Sequence, residues 1–115
     1  MLHGALTKRK PRPERPRAQA RRSARASEKL ARDQERLFSL SPGGSAAQPL
    51  SVPSAAIVEP RARAERCPRC QGEHEIVEHA AVIAQGRRLR ELRLRCRQCA
   101  SRRSLFFQIE DTLLN

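Results

Sequence analysis

The stretch Arg66–His79, RCPRCQGEHEIVEH, places two cysteines two residues apart, and Arg93–Arg103, RLRCRQCASRR, repeats the spacing. The chain has only four cysteines, Cys67, Cys70, Cys96 and Cys99, and all of them fall in these C-x-x-C pairs. A two-residue gap lets the backbone turn sharply, so that both sulfurs face one point and nearby N–H groups aim at them. Two such knuckles brought together supply the tetrahedral four-cysteine shell that zinc prefers. The 25 residues between the pairs, 71 to 95, accommodate a β-hairpin whose base carries the four thiols.

Magnitudes separate the uses of these thiols. A module of about 50 residues buries little surface and needs a staple. A disulfide typically adds about 2–4 kcal/mol, whereas zinc ligation contributes roughly 10–16 kcal/mol of apparent binding free energy. One structural Zn2+ is therefore the favoured cofactor. A redox dithiol is the weaker alternative, because neither pair leads into a helix N-terminus that would lower a thiol pKa. Iron or an iron–sulfur cluster is the other alternative.

The hairpin is legible in the pattern. In LRELRLRC, Leu92, Leu94 and Cys96 share one face and Arg93, Arg95 and Arg97 the other. EHEIVEHAAVI before it is β-permissive, and Gly86 marks the turn. After the second knuckle, SLFFQIE sets Leu105, Phe107 and Ile109 on one face, leaving Phe106 to pack elsewhere or to offer a stacking surface. The expected fold class is a small metal-stabilised β domain with a three-stranded antiparallel sheet.

Two knuckles and three strands over residues 65–110 resemble the zinc ribbon. The resemblance rests on Cys67, Pro68, Cys70, Cys96, Cys99 and the strand after the second knuckle. Many ribbons carry glycine directly after each knuckle, where this chain has Gln71 and Ala100. Residues from EKLARDQERLFSLSPGGS to SLFFQI are also similar to small uncharacterised bacterial proteins that join a Pro-rich lead to a zinc ribbon. Ribbons occur in transcription, ribosomal and replication proteins and as structural braces, so the likeness implies no single activity. Ribbons that stimulate transcript cleavage carry an acidic pair at the hairpin tip, and here IAQGRRLRE is basic.

Outward from the ribbon, residues 1–22 read as a disordered basic tail, since prolines and like charges leave nothing to bury. Residues 23–40 read as a short helix with Leu30, Leu37 and Phe38 along one stripe and Glu28 paired to Arg32. Residues 41–64 form a Pro-, Gly- and Ser-rich linker or strap, and 111–115 a C-terminal tail. The segment 23–58 is the candidate docking element for a protein partner.

The formal charge is +12, with 12 basic against 4 acidic side chains in residues 1–36. Such an excess attracts polyanions, so nucleic acid or a ribonucleoprotein is the expected partner. Arg87, Arg88, Arg93, Arg95, Arg97, Arg102 and Arg103 are the candidate phosphate contacts. The alternative is a solvated strand face whose arginine stems cover apolar surface. No apolar run approaches the roughly 20 residues of a membrane span, and no secretory h-region is present. The expectation is a cytoplasmic protein with no membrane association and no small-molecule substrate. Four thiolates close a zinc shell, His74 and His79 read as ordinary strand residues, and no nucleophile–base pair appears. No enzymatic activity is expected.

Overall fold

The computed structural model describes Pro13 and residues 15–110. Most of the expected tail and all of 111–115 lie outside them. Helix α1 runs Pro16–Leu40, seven residues ahead of the expected start at Ser23. Proline is compatible with the first helical turn, where its missing N–H has no intrahelical partner to lose. The RAQARR that follows is made of good helix formers. The helix ends at Ser41, whose N–H bonds the Phe38 carbonyl at 3.0 Å and whose Oγ donates to the Leu37 carbonyl at 2.8 Å. Gly43 then takes a left-handed φ of 85°. A Cβ on Gly44 would sit 2.0 Å from the Phe38 carbonyl oxygen, so the chain doubles back here only because both residues lack side chains.

The strap is not a plain linker. It supplies strand β1, Leu50–Val52, and helix α2, Ala55–Ala64. The sheet therefore has four strands in the order β1-β4-β3-β2, with β2 His74–Ala84, β3 Arg87–Cys96 and β4 Arg102–Ile109. The β2–β3 and β3–β4 pairs are antiparallel and β1 runs parallel to β4. This corrects the three-stranded antiparallel expectation. A mixed sheet with two helices replaces it, because three residues between Pro49 and Pro53 are too few to show a strand period.

Gln85 and Gly86, both at positive φ, close the β2–β3 hairpin as a two-residue turn. A bulge at Val77 shifts the β2 register between Ile76 and Glu78. It brings His79, opposite buried Leu92, onto the face shared by His74 and Ile76. The core is Val52, Val58, Ala62, Leu92, Leu94, Leu105 and Phe107, with Phe38, Leu50, Ile76 and Ile109 at its margin. Val58 and Ala62, one turn apart, are the face that α2 lays on the sheet. That burial sustains the helix despite the backbone bond lost at Pro60. Glu59 of α2 also accepts from His79 Nδ1 at 2.9 Å. Each fully buried Leu or Phe here contributes about 1.5–3 kcal/mol. Among the described residues no helix is long and apolar enough to cross a membrane.

Candidate metal centre

The two knuckles are near copies of one another. In the first, Gln71 N–H bonds the Cys67 carbonyl at 2.8 Å and Cys67 N–H bonds the Gly72 carbonyl at 3.0 Å. In the second, Ala100 N–H bonds the Cys96 carbonyl at 3.0 Å and Cys96 N–H bonds the Ser101 carbonyl at 2.9 Å. Backbone N–H groups also reach the leading sulfurs, from Arg69 to Cys67 at 3.4 Å and from Gln98 to Cys96 at 3.3 Å. Gln71 and Ala100 occupy the left-handed region, with φ of 64° and 63°. Both turns therefore hold a conformation that favours glycine without having one.

The hairpin carries the knuckles together. Cys96 ends β3 opposite His74, and Arg97 N–H bonds the Glu73 carbonyl at 2.8 Å. The Cys67, Cys70, Cys96 and Cys99 sulfurs all lie within 4.8 Å of one another. Cys67 and Cys99 are 3.6 Å apart and Cys70 and Cys96 3.4 Å. A tetrahedral shell with Zn–S of about 2.3 Å has S···S edges of about 3.8 Å. The cluster therefore has the dimensions of a four-thiolate metal site.

The electrostatics suit a cation. Burial opposes charge on Cys67, but hydrogen bonds from the Ser101 hydroxyl and the Cys70 and Arg69 N–H groups outweigh it and bring the thiol down to about 5. The Cys99 N–H, 3.4 Å from Cys96 Sγ, leads the bonds that hold Cys96 below the usual thiol value. Burial, and then the neighbouring Cys96 sulfur, push Cys70 up to about 12. Sulfur charge thus accumulates in one place until a neighbour retains its proton, which is the condition a divalent cation relieves.

Sequence reading missed the support behind these ligands. Ser101 Oγ lies 3.0 Å from Cys99 Sγ and 3.5 Å from Cys67 Sγ. Arg103 donates to Ser101 Oγ at 2.8 Å, leaving the Ser101 hydrogen for sulfur. His74 is 2% exposed and its Nδ1 is 2.8 Å from the Glu65 carbonyl. Arg103 can only donate to His74 Nε2, so Nδ1 carries the ring proton and donates to Glu65. His74 is thus a positioning residue beside the cluster, not one of its sulfur-shell members. Nothing in the local sequence around Ser101 or His74 signals these roles.

The candidate phosphate contacts divide into three groups. Arg103 is buried and ion-paired to Glu35 of α1, which removes it from any surface. Arg93 Nε lies 3.4 Å from Glu78 and 3.7 Å from Glu91, Arg95 Nε is 2.9 Å from Glu75, and Arg87 donates to Gln108 at 3.1 Å. Arg88, Arg97 and Arg102 are exposed, with no ion pair among the described residues. Phe106 is half-buried and pairs in register with Glu91.

The chain matches no protein-family model, no curated protein and no solved structure.

Proposed function

We propose that this chain is a non-enzymatic protein of zinc-ribbon type. In this reading it holds one structural Zn2+ through Cys67, Cys70, Cys96 and Cys99 and binds nucleic acid, alone or within a ribonucleoprotein or transcription assembly, through arginine-rich surfaces. Four thiolates at tetrahedral spacing favour zinc or iron–sulfur chemistry over hard cations, and a closed sulfur shell has a structural role and no open coordination position. The observation that carries the nucleic-acid reading is the +12 formal charge, displayed on cations such as Arg88, Arg97 and Arg102 that have no carboxylate partner among the described residues.

The test is purification with metal analysis, with and without nuclease treatment. One zinc per chain and co-purifying nucleic acid that departs as salt is raised are expected. Protein that neither carries nor takes up nucleic acid at low salt refutes the reading. A second reading, a protein-interaction adaptor, is favoured by Leu30, Leu37 and Leu40, which are 58%, 66% and 66% exposed on α1. Under it, replacing all three by Gln abolishes capture of a protein partner at unchanged zinc content, and undiminished capture refutes it.

A further inference from the structure

We infer that α1, not the hairpin, is the element that grips nucleic acid, and that its ligand is double-stranded DNA, with the helix lying in the major groove. This rests on the nucleic-acid reading above and assigns the surface and the ligand within it.

At 100° per residue, Arg17, Arg21, Arg25, Lys29, Arg32 and Arg36 fall within an arc of about 120°, over about 28 Å of helix. From Pro16 to Leu30 every residue is exposed except half-buried Ala18. Among the described residues, contacts that tie the helix to the domain lie towards its other end, with Phe38 at the core margin and Glu35 on Arg103 and Arg69. Most of the cationic stripe therefore stands clear of the domain. Residues 16–27 include no carboxylate. Of the three acids further along, Glu35 is committed to Arg103 and Arg69, Glu28 lies within the arc and faces Arg32 at 4.0 Å, and Asp33 lies about 40° beyond the Lys29 edge of the arc.

Such a helix opposes its own formation. Like charges repeat at i,i+4 along Arg17, Arg21, Arg25 and Lys29, and the first turn holds a cation and no acid against the macrodipole. No packing offsets either term over the exposed half, and a polar helix without packing is marginal in water. A polyanion laid along the stripe reverses both terms together. The hairpin differs, because Glu75, Glu78 and Glu91 already neutralise Arg93 and Arg95. The exposed Arg88 lies by the hairpin tip while Arg97 and Arg102 lie at its base, so the three form no continuous stripe.

Shape selects the ligand. A helix of about 10–12 Å diameter fits the roughly 12 Å major groove of B-form DNA, and an arc of about 120° directs cations to the phosphates on both groove walls. The major groove of A-form RNA is deep and narrow. A bilayer would require large apolar side chains along the helix, and residues 17–29 offer only alanines.

The experiment measures binding of the full zinc-loaded chain to a 20-base-pair DNA duplex by fluorescence anisotropy across a salt series. The RNA duplex of the same sequence and vesicles rich in phosphatidylserine are run alongside. DNA should bind at least about tenfold tighter than RNA, with a log–log salt slope near −4 to −5 and a gain of helical circular dichroism. Replacing Arg17, Arg21, Arg25 and Lys29 together by Gln should flatten the slope by about four and weaken binding at least tenfold. Zinc content and melting temperature should hold, since these side chains contact nothing in the domain. Replacing Arg88, Arg97 and Arg102 by Gln should weaken binding no more than about threefold. If the helix variant binds like the parent while the hairpin variant fails, the assignment to α1 falls and the wider reading stands. RNA or vesicles bound as tightly as DNA overturn the choice of ligand. No binding of either nucleic acid at low salt overturns both readings.

Discussion

Arg103 of β4 and Glu35 of α1, 68 residues apart, form a salt bridge in which the arginine side chain is 4% exposed and the glutamate 24%. Arg103 Nε donates to Glu35 at 3.0 Å, and its guanidinium lies 5.8 Å over the Phe38 ring. The same guanidinium donates to Ser101 and His74. One side chain thus joins the cysteine cluster to the long helix.

Removing Glu35 should therefore cost more than an ordinary surface ion pair. E35A leaves a buried guanidinium short of its counter-charge, a loss of roughly 2–4 kcal/mol after allowing for the partial exposure of the carboxylate. Urea denaturation of parent and variant measures it. A change within about 0.5 kcal/mol, as for a typical surface substitution, would show the contact to be incidental.

The metal should hold the knuckle end of the sheet together. The seven-residue apolar core lies on the sheet and α2, and none of it comes from the loops 66–73 or 97–101. Chelation, or C67S with C96S, should abolish amide protection in both loops and lower the melting temperature by more than about 10 °C, given the size of structural zinc affinities. A chelated protein with an unchanged melting curve would contradict a structural role for the site.

The left-handed residues after each knuckle offer a gain. Ala100 holds φ of 63° while its N–H bonds the Cys96 carbonyl, a conformation that costs a non-glycine residue roughly 1–2 kcal/mol. A100G should stabilise the metal-loaded protein by about 0.5–1 kcal/mol, the remainder being offset by the added freedom of glycine when unfolded. The midpoint of denaturant unfolding reads the sign, and a destabilised variant would refute the reasoning.

Acid release of metal should depend on Ser101. Metal binding requires thiolates, so protons compete with it. The folded Cys67 thiol titrates near 5 against an ordinary 9.0. Its depressed value favours the thiolate in full above about 9, and that preference fades as pH falls through about 5. S101A removes a hydrogen bond that lowers this value, so protons win earlier on acidification. The midpoint of metal loss, followed by the absorption of the cobalt-substituted protein, should move up by roughly half a pH unit. An unmoved or lowered midpoint contradicts this role for the hydroxyl.

The features legible in the chain were those set by neighbours in sequence. The alternation of Leu92, Leu94 and Cys96 with Arg93, Arg95 and Arg97 reappears as alternating buried and exposed positions along β3 and just past its end, and Gly86 lies in the hairpin turn. Less visible was the start of α1, where proline and charge masked good helix-forming composition. The bulge at Val77 was hidden too, because one extra residue changes facing without changing residue type.

What local chemistry could decide, it decided: C-x-x-C twice, one hairpin apart, makes convergence of four sulfurs the natural outcome, since spacing and turn geometry act over a few residues. Packing decided the rest. Three residues between prolines become a parallel strand only because β4 offers an open edge, and Val58 and Ala62 make a helix worth forming only when a sheet lies beneath them. Arg103 looks like one more surface cation until Glu35 arrives from the far end of the chain. Whether a charge meets water or a counter-ion depends on residues distant in sequence, and only the folded backbone brings them together.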